Sequence, residues 1–195
     1  MLYIMRHGMT DWNAIHRLQG RTDIPLNDEG IEMAQKAHDE YADVHFDICF
    51  YSPLKRAAQT AQIVAGDRGI PMICDERLRE MSFGVCEGTM DYMTNESSEI
   101  FPLFSNPDKY VTPPDEAESI EELCRRTGNF LKEKVVPLMR EGKDVLIVGH
   151  GAMNSSMIMQ IKKLPKKDFW AAGLAKCKLM SFEVAEVADN LQQKE

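Results

Sequence analysis

Leu2-Tyr3-Ile4-Met5-Arg6-His7-Gly8 is the stretch from which the fold can be read. Its apolar run shows no alternation, as in a central strand covered on both faces, and it stops on arginine, histidine and glycine. Glycine permits a sharp exit and a close approach of backbone to a ligand. A lone histidine beside an apolar run is ordinarily a packed residue. The adjacent arginine alters that reading, because a guanidinium disfavours a second positive charge on the imidazole and offers a fork of donors suited to phosphate or carboxylate.

Val145-Leu146-Ile147-Val148-Gly149 repeats the pattern and runs into His150-Gly151. A third apolar run, 46–51, leads to Ser52-Pro53, where serine suits a helix cap and proline the first helical position; the expected helix, 53 to about 65, carries Arg56 in or near its first turn. Strands are also expected at 70–74 and, as an alternating edge strand, at 176–184. Helices are expected over 28–41, where apolar residues recur at three and four, and from about 152 to 163. The capping-box pattern Ser119-Ile120-Glu121-Glu122 opens a further helix through Leu138, with Pro137 expected to end or bend it. The tail beyond Ala188 is expected to fray.

Strands alternating with helices predict an α/β three-layer sandwich, its central sheet mostly parallel with helices on both faces. In such sheets ligands lie beyond the carboxyl ends of the strands, so the rule that places His7 with Arg6, Arg56 and His150 also gathers them. Two linking regions attract attention. Residues 9–20 form a polar loop long enough to fold over a ligand. Residues 89–118 lack periodicity and contain Pro102, Pro107, Pro113 and Pro114, which reads as an irregular insertion with one short helix, able to carry substrate-specific contacts.

Composition narrows the class of function. The 195 residues, 44% hydrophobic and 28% charged, suit one domain, 1–195. A net charge of −8 argues against nucleic-acid and anionic-membrane partners, so any anion site must be local. No apolar run nears the roughly 20 residues that cross a bilayer, and no basic flank leads into an apolar core at the N-terminus; a cytoplasmic protein is expected. Five cysteines, an odd number without a CxxC pair, fit neither a disulfide framework nor a redox motif. A metal site on His7 and His150 is disfavoured, since the arginines would repel a cation.

Taken together, the motifs resemble those of the histidine phosphatase superfamily, the phosphoglycerate mutase-like proteins. Arg6-His7-Gly8 resembles its RHG signature, Asn13 and Gln19-Gly20 its following loop, and Ser52-Pro53-Leu54-Lys55-Arg56-Ala57 with Thr60 its second arginine motif. Glu80, Phe83-Gly84 and Glu87-Gly88 resemble the acid/base segment, and His150-Gly151 the second histidine. The resemblance implies a metal-independent phosphomonoesterase of the histidine acid phosphatase type, without cofactor. His7 would be the nucleophile and Glu80 the general acid and base. Arg6, Arg56 and His150 would hold the phosphoryl oxygens, and Asn13, Gln19, Gly20, Glu80 and Gly151 would contribute to substrate or phosphate binding. Met9, Ala117-Glu118-Ser119 and Asn154 depart from the usual pattern, at positions expected to touch substrate recognition rather than phosphoryl transfer. The partner expected is a small phosphate ester. A mutase-type phosphotransferase and a non-catalytic phosphate-binding module are the competing readings, and monomer and homodimer both stay open.

Overall fold

The computed structural model describes residues 1–171 and 173–191. In chain order the elements are β1 (Leu2–Arg6), α1 (Asp11–Ala14), α2 (Asp28–Glu40), β2 (Ile48–Tyr51), α3 (Lys55–Ala65), β3 (Met72–Cys74), α4 (Phe101–Ser105), α5 (Ile120–Phe130), α6 (Val136–Arg140), β4 (Val145–Gly149), α7 (Gly151–Lys162), β5 (Leu179–Phe182) and α8 (Val184–Leu191). The sheet order is β3-β2-β4-β1-β5, and only β5 runs antiparallel.

Alternation along the strands divides the core into two layers. Leu2, Ile4, Val145 and Ile147 join one cluster with Leu123, Phe130, Met157, Ile161 and Val187 of α5, α7 and α8. Met5, Leu146 and Val148 join the other, against Ala34 and Ala37 of α2 and Ala61, Val64 and Ala65 of α3. Alanines of α2 and α3 pack on one face of the sheet, and leucine, isoleucine and phenylalanine side chains of α5 and α7 on the other. This is the expected three-layer α/β sandwich.

Several boundaries differ from the sequence reading, each for a physical reason. Helix α3 begins at Lys55 behind Leu54, with no side-chain cap, so Ser52 does not serve as its N-cap. The loop after His7 contains α1, capped by Thr10, whose Oγ1 accepts from Asn13 N at 3.1 Å. Pro137 does not stop its helix. It has no N–H to close the ladder, and the chain takes up the mismatch just upstream as a π turn, Leu131–Val135, before continuing as α6. The C-terminal segment does not fray at Ala188: α8 continues to Leu191, whose side chain is buried against the core. Residues 192–195 of the expected loose tail lie outside the described residues. The insertion holds one α-helix, α4, as expected, followed by a single 3₁₀ turn, Pro107–Lys109.

None of the five cysteines is joined in a disulfide. No helix among the described residues is long and apolar enough to cross a membrane.

Candidate active site

Sheet register builds the site. Arg6 pairs with Gly149 across β1 and β4, so the next residues, His7 and His150, emerge side by side; His7 N donates to Gly149 O at 2.9 Å. Their rings meet edge to face with centroids 5.2 Å apart. Ser52 follows β2 on the other side of β4, its amide bonded to Val148 O at 3.2 Å. Thus three adjacent parallel strands deliver His7, His150 and the approach to Arg56 at one carboxyl edge.

His7 is almost fully buried, and its two ring nitrogens are assigned by their partners. Nδ1 lies 2.7 Å from Gly8 O, which can only accept, and Nε2 lies 3.3 Å from Arg56 Nε, which can only donate. Nδ1 therefore carries the proton and Nε2 the lone pair. Burial lowers the His7 pKa well below the ordinary imidazole value, and the Arg56 and Arg6 charges push it further down, against a smaller opposing effect of the Gly8 carbonyl. Gly8 is required by crowding: a β-carbon there would lie 2.6 Å from Gly30 O in the first turn of α2. Its amide donates to Thr60 Oγ1 at 3.1 Å, and that hydroxyl donates to Arg56 O at 2.7 Å, tying the two motifs together.

Arg56, 1% exposed, is aimed by backbone carbonyls. Nη2 donates to Gly20 O at 2.7 Å and Nη1 to Thr22 O at 2.9 Å. Gly20 holds φ +56°, the left-handed region glycine adopts freely, so its part is to present that carbonyl. Desolvation lowers the Arg56 pKa to about 10, which still leaves it charged at neutral pH. Arg6 Nε is buried without a partner among the described residues. His150 is fully buried, with Nε2 2.7 Å from Ser52 Oγ and Nδ1 unpartnered; burial, then Arg56, His7 and Arg6, lower its pKa well below the usual value.

Glu80 comes from the segment after β3 and caps α7 from outside. Its Oε1 accepts from Met81 N and Met153 N, both at 2.9 Å, and its Oε2 from Ala152 N at 3.2 Å. A β-carbon on Gly151 would sit 3.4 Å from Arg6 Nη2 and 3.6 Å from Glu80 Oε2, so the carboxylate and the guanidinium flank the start of α7. Arg79, next in sequence, turns away to pair with Glu76. A bracket that sequence reasoning missed steadies this segment: Arg126 donates to the carbonyls of Arg77, Arg79 and Glu80 at 2.6, 2.8 and 3.1 Å, and its guanidinium is gripped by both oxygens of Glu118 at 2.7 and 2.9 Å. Glu118, expected at the lip of the pocket, acts here as the anchor of that bracket.

Of these groups, Arg6, His7, Gly20, Arg56, Glu80 and Gly151 line a cavity of about 120 Å³. Asn13 lines it with Oδ1 buried and unpartnered, whereas Gln19 is engaged, its Oε1 accepting from Thr10 Oγ1 at 3.1 Å. The opposite wall was not foreseen residue by residue: Phe83, Tyr92, Phe104 and Trp170, with Arg17 beside them. Phe104 stacks on Trp170 at 5.4 Å and meets Tyr92 at 4.7 Å, and Trp170 Nε1 donates to Leu103 O at 2.7 Å. The insertion 89–118, expected to be able to carry substrate-specific contacts, contributes Tyr92 and Phe104 to this lining.

A mostly parallel α/β sheet that brings two buried histidines and two guanidiniums together defines an α/β protein whose candidate site is a cationic strand edge. A profile of the histidine phosphatase superfamily (branch 1) matches residues 2–193, and the chain belongs to that family. It is 33% identical over 177 residues to a 2,3-bisphosphoglycerate-dependent phosphoglycerate mutase from Cytophaga hutchinsonii, covering 90% of this chain and 83% of that one. Among solved structures it is similar to Bacillus stearothermophilus YhfR, with a TM-score of 0.81, 30% identity and coverage of 91% and 88%. A mutant phosphoserine phosphatase from Entamoeba histolytica in complex with phosphoserine superposes with a TM-score of 0.76 at 27% identity, covering 91% and 87%.

Proposed function

We propose that this single-domain protein hydrolyses a small phosphate monoester through a phosphohistidine on His7. The observation that carries the reading is the state of His7: a buried neutral imidazole whose Nδ1–H is held by Gly8 O, leaving Nε2 as the nucleophilic lone pair beside Arg56. Nε2 attacks phosphorus and the ester P–O bond breaks, with Glu80 passing a proton to the departing alkoxide. Water then attacks the phosphohistidine, Glu80 takes its proton, and inorganic phosphate leaves. Arg6, Arg56 and His150 bind the phosphoryl oxygens and stabilise charge as it spreads in the transition state; Asn13 and the first free amide of α7, at Gly151, add donors, and Gln19 and Gly20 shape the wall and aim Arg56. With this positive charge in place the reaction needs no metal, and turnover survives chelation by EDTA.

The mutase reading is favoured by the Cytophaga relative. A phosphoglycerate carries a second anionic group that must be held while the phosphoryl group moves. Away from His7 the cavity wall is largely aromatic, which supports hydrolysis of an ester with an apolar leaving group; Arg17 is the lining cation that would hold a second anion in the mutase reading. The test is a rapid-quench experiment with labelled phosphate ester: acid-labile, base-stable label should form on the protein and be lost to water within one turnover. A long-lived phosphoprotein that discharges only to added phosphoglycerate would establish the mutase. No label at all, with the ester still hydrolysed, would overturn the covalent mechanism.

A further inference from the structure

We infer that Ser52 is a positioning residue that fixes the tautomer of His150, so that a neutral imidazole presents an Nδ1–H donor to a phosphoryl oxygen. The inference rests on the phosphoryl-transfer reading for its ligand, but its structural half concerns the unliganded protein alone.

The argument is one of hydrogen-bond accounting at a buried site. Ser52 is fully buried, its Oγ lies 2.7 Å from His150 Nε2, and it also accepts from Leu54 N at 3.3 Å. A hydroxyl has one proton to give. If His150 carried its proton on Nε2, Ser52 Oγ would receive two donors while its own proton had no acceptor among the described residues, and the buried Nδ1 lone pair would point at nothing. Placing the proton on Nδ1 resolves the hydroxyl completely: Leu54 N–H donates to Oγ, and Oγ–H donates to Nε2. Only Nδ1–H then lacks a partner among the described residues, and this buried donor, on a ring packed edge to face against His7 and within electrostatic reach of Arg56 and Arg6, suits an anionic oxygen. An imidazolium would give two donors, but burial among guanidiniums holds His150 neutral. The serine thus lets an uncharged ring act as a donor where a third cation would be repelled.

The test uses the full chain with ¹⁵N-labelled histidine. Long-range ¹H–¹⁵N spectra of the native protein should show His150 protonated on Nδ1, with Nε2 as the bare nitrogen. In Ser52→Ala the proton should redistribute toward Nε2, and affinity for vanadate should fall roughly ten- to hundredfold, the loss of one charge-assisted hydrogen bond. Ser52→Thr keeps the hydroxyl and should restore both. A role confined to packing would not move the tautomer. Native His150 protonated on Nε2, or an unchanged tautomer and vanadate affinity in Ser52→Ala, would overturn the proposal. Should Ser52→Ala not fold, the native spectrum and Ser52→Thr decide it.

Discussion

The two ends of the cavity are built on different principles. At the His7 end the polar groups that aim the side chains are mostly backbone: Gly8 O for His7, Gly20 O and Thr22 O for Arg56, and the amides of Met81, Ala152 and Met153 for Glu80. Main-chain atoms at strand and helix ends cannot wander without unzipping the elements that carry them, so this end is preorganised. The rest of the lining includes a panel of side chains, Phe83, Tyr92, Phe104 and Trp170, held by ring contacts and one indole hydrogen bond. Under the proposed function, the His7 side would serve the reaction and the aromatic side the leaving group.

The sharpest way to break this comparison is His7→Ala. It should reduce kcat on any ester by about 10⁴-fold or more, because transition-state stabilisation without the nucleophile retains only a residue of the rate. Steady-state phosphate release checks it, and a retained melting temperature shows that the fold has survived. Undiminished turnover would remove His7 from the mechanism.

Glu80→Gln should divide esters by leaving group. Turnover of an alkyl phosphate should slow by roughly a hundredfold or more, since the amide delivers no proton. p-Nitrophenyl phosphate, whose leaving group needs none, should still phosphorylate His7 and give a burst as the phosphohistidine accumulates. Equal slowing of both esters, with no burst, would mean that Glu80 holds phosphate and does not move protons.

Phe104→Ala tests the other end. It should change the ratio of kcat/KM between an aromatic and an aliphatic ester by about tenfold while leaving vanadate affinity unchanged. Weaker vanadate binding would show that the aromatic panel and the phosphoryl end are not separable.

The smallest effect is on stability. His7 and His150 are held neutral in the fold, with pKa values depressed mainly by burial, whereas the unfolded chain protonates them near pH 6.5. Between those values the unfolded state binds more protons, so stability is intact above about pH 6.5 and declines below it, by roughly 1 kcal/mol per histidine for each pH unit. Denaturant unfolding at pH 6.5 and 5.5 should show a shallower decline in His150→Gln than in the native protein. No such difference would place the depressed groups elsewhere. Over the same range, phosphorylation of His7 should not lose rate as an exposed imidazole would.

Much of this site was legible because parallel strands obey a general rule. An apolar run ending on Arg-His-Gly, another ending on His-Gly and a third leading to Arg56 must bring these residues to one edge, and Arg6 paired with Gly149 is that rule realised. Glu80 came only through the resemblance, since nothing local marks a carboxylate after a short edge strand as special. Ser52 was misread for an instructive reason: serine before Pro53 is a strong local capping signal, yet its hydroxyl is taken by a histidine 98 positions away. Thr10 followed by Asp11 was a start signal for α1 that could have been used.

What the sequence determined by itself was the period of burial, hence the sheet, the strand ends and the chemistry waiting there. Hydrophobic pattern and turn residues act over a few positions, and those are written locally. What only the tertiary structure decided was which atoms those groups face. The Arg56 donor on His7 Nε2, the capping of α7 by Glu80, the bond from Arg126 to Arg77 O and the stacking of Phe104 on Trp170 all join segments far apart in the chain. Such contacts are selected by packing and by the need of every buried polar atom for a partner, and neither condition can be evaluated until the chain has closed on itself.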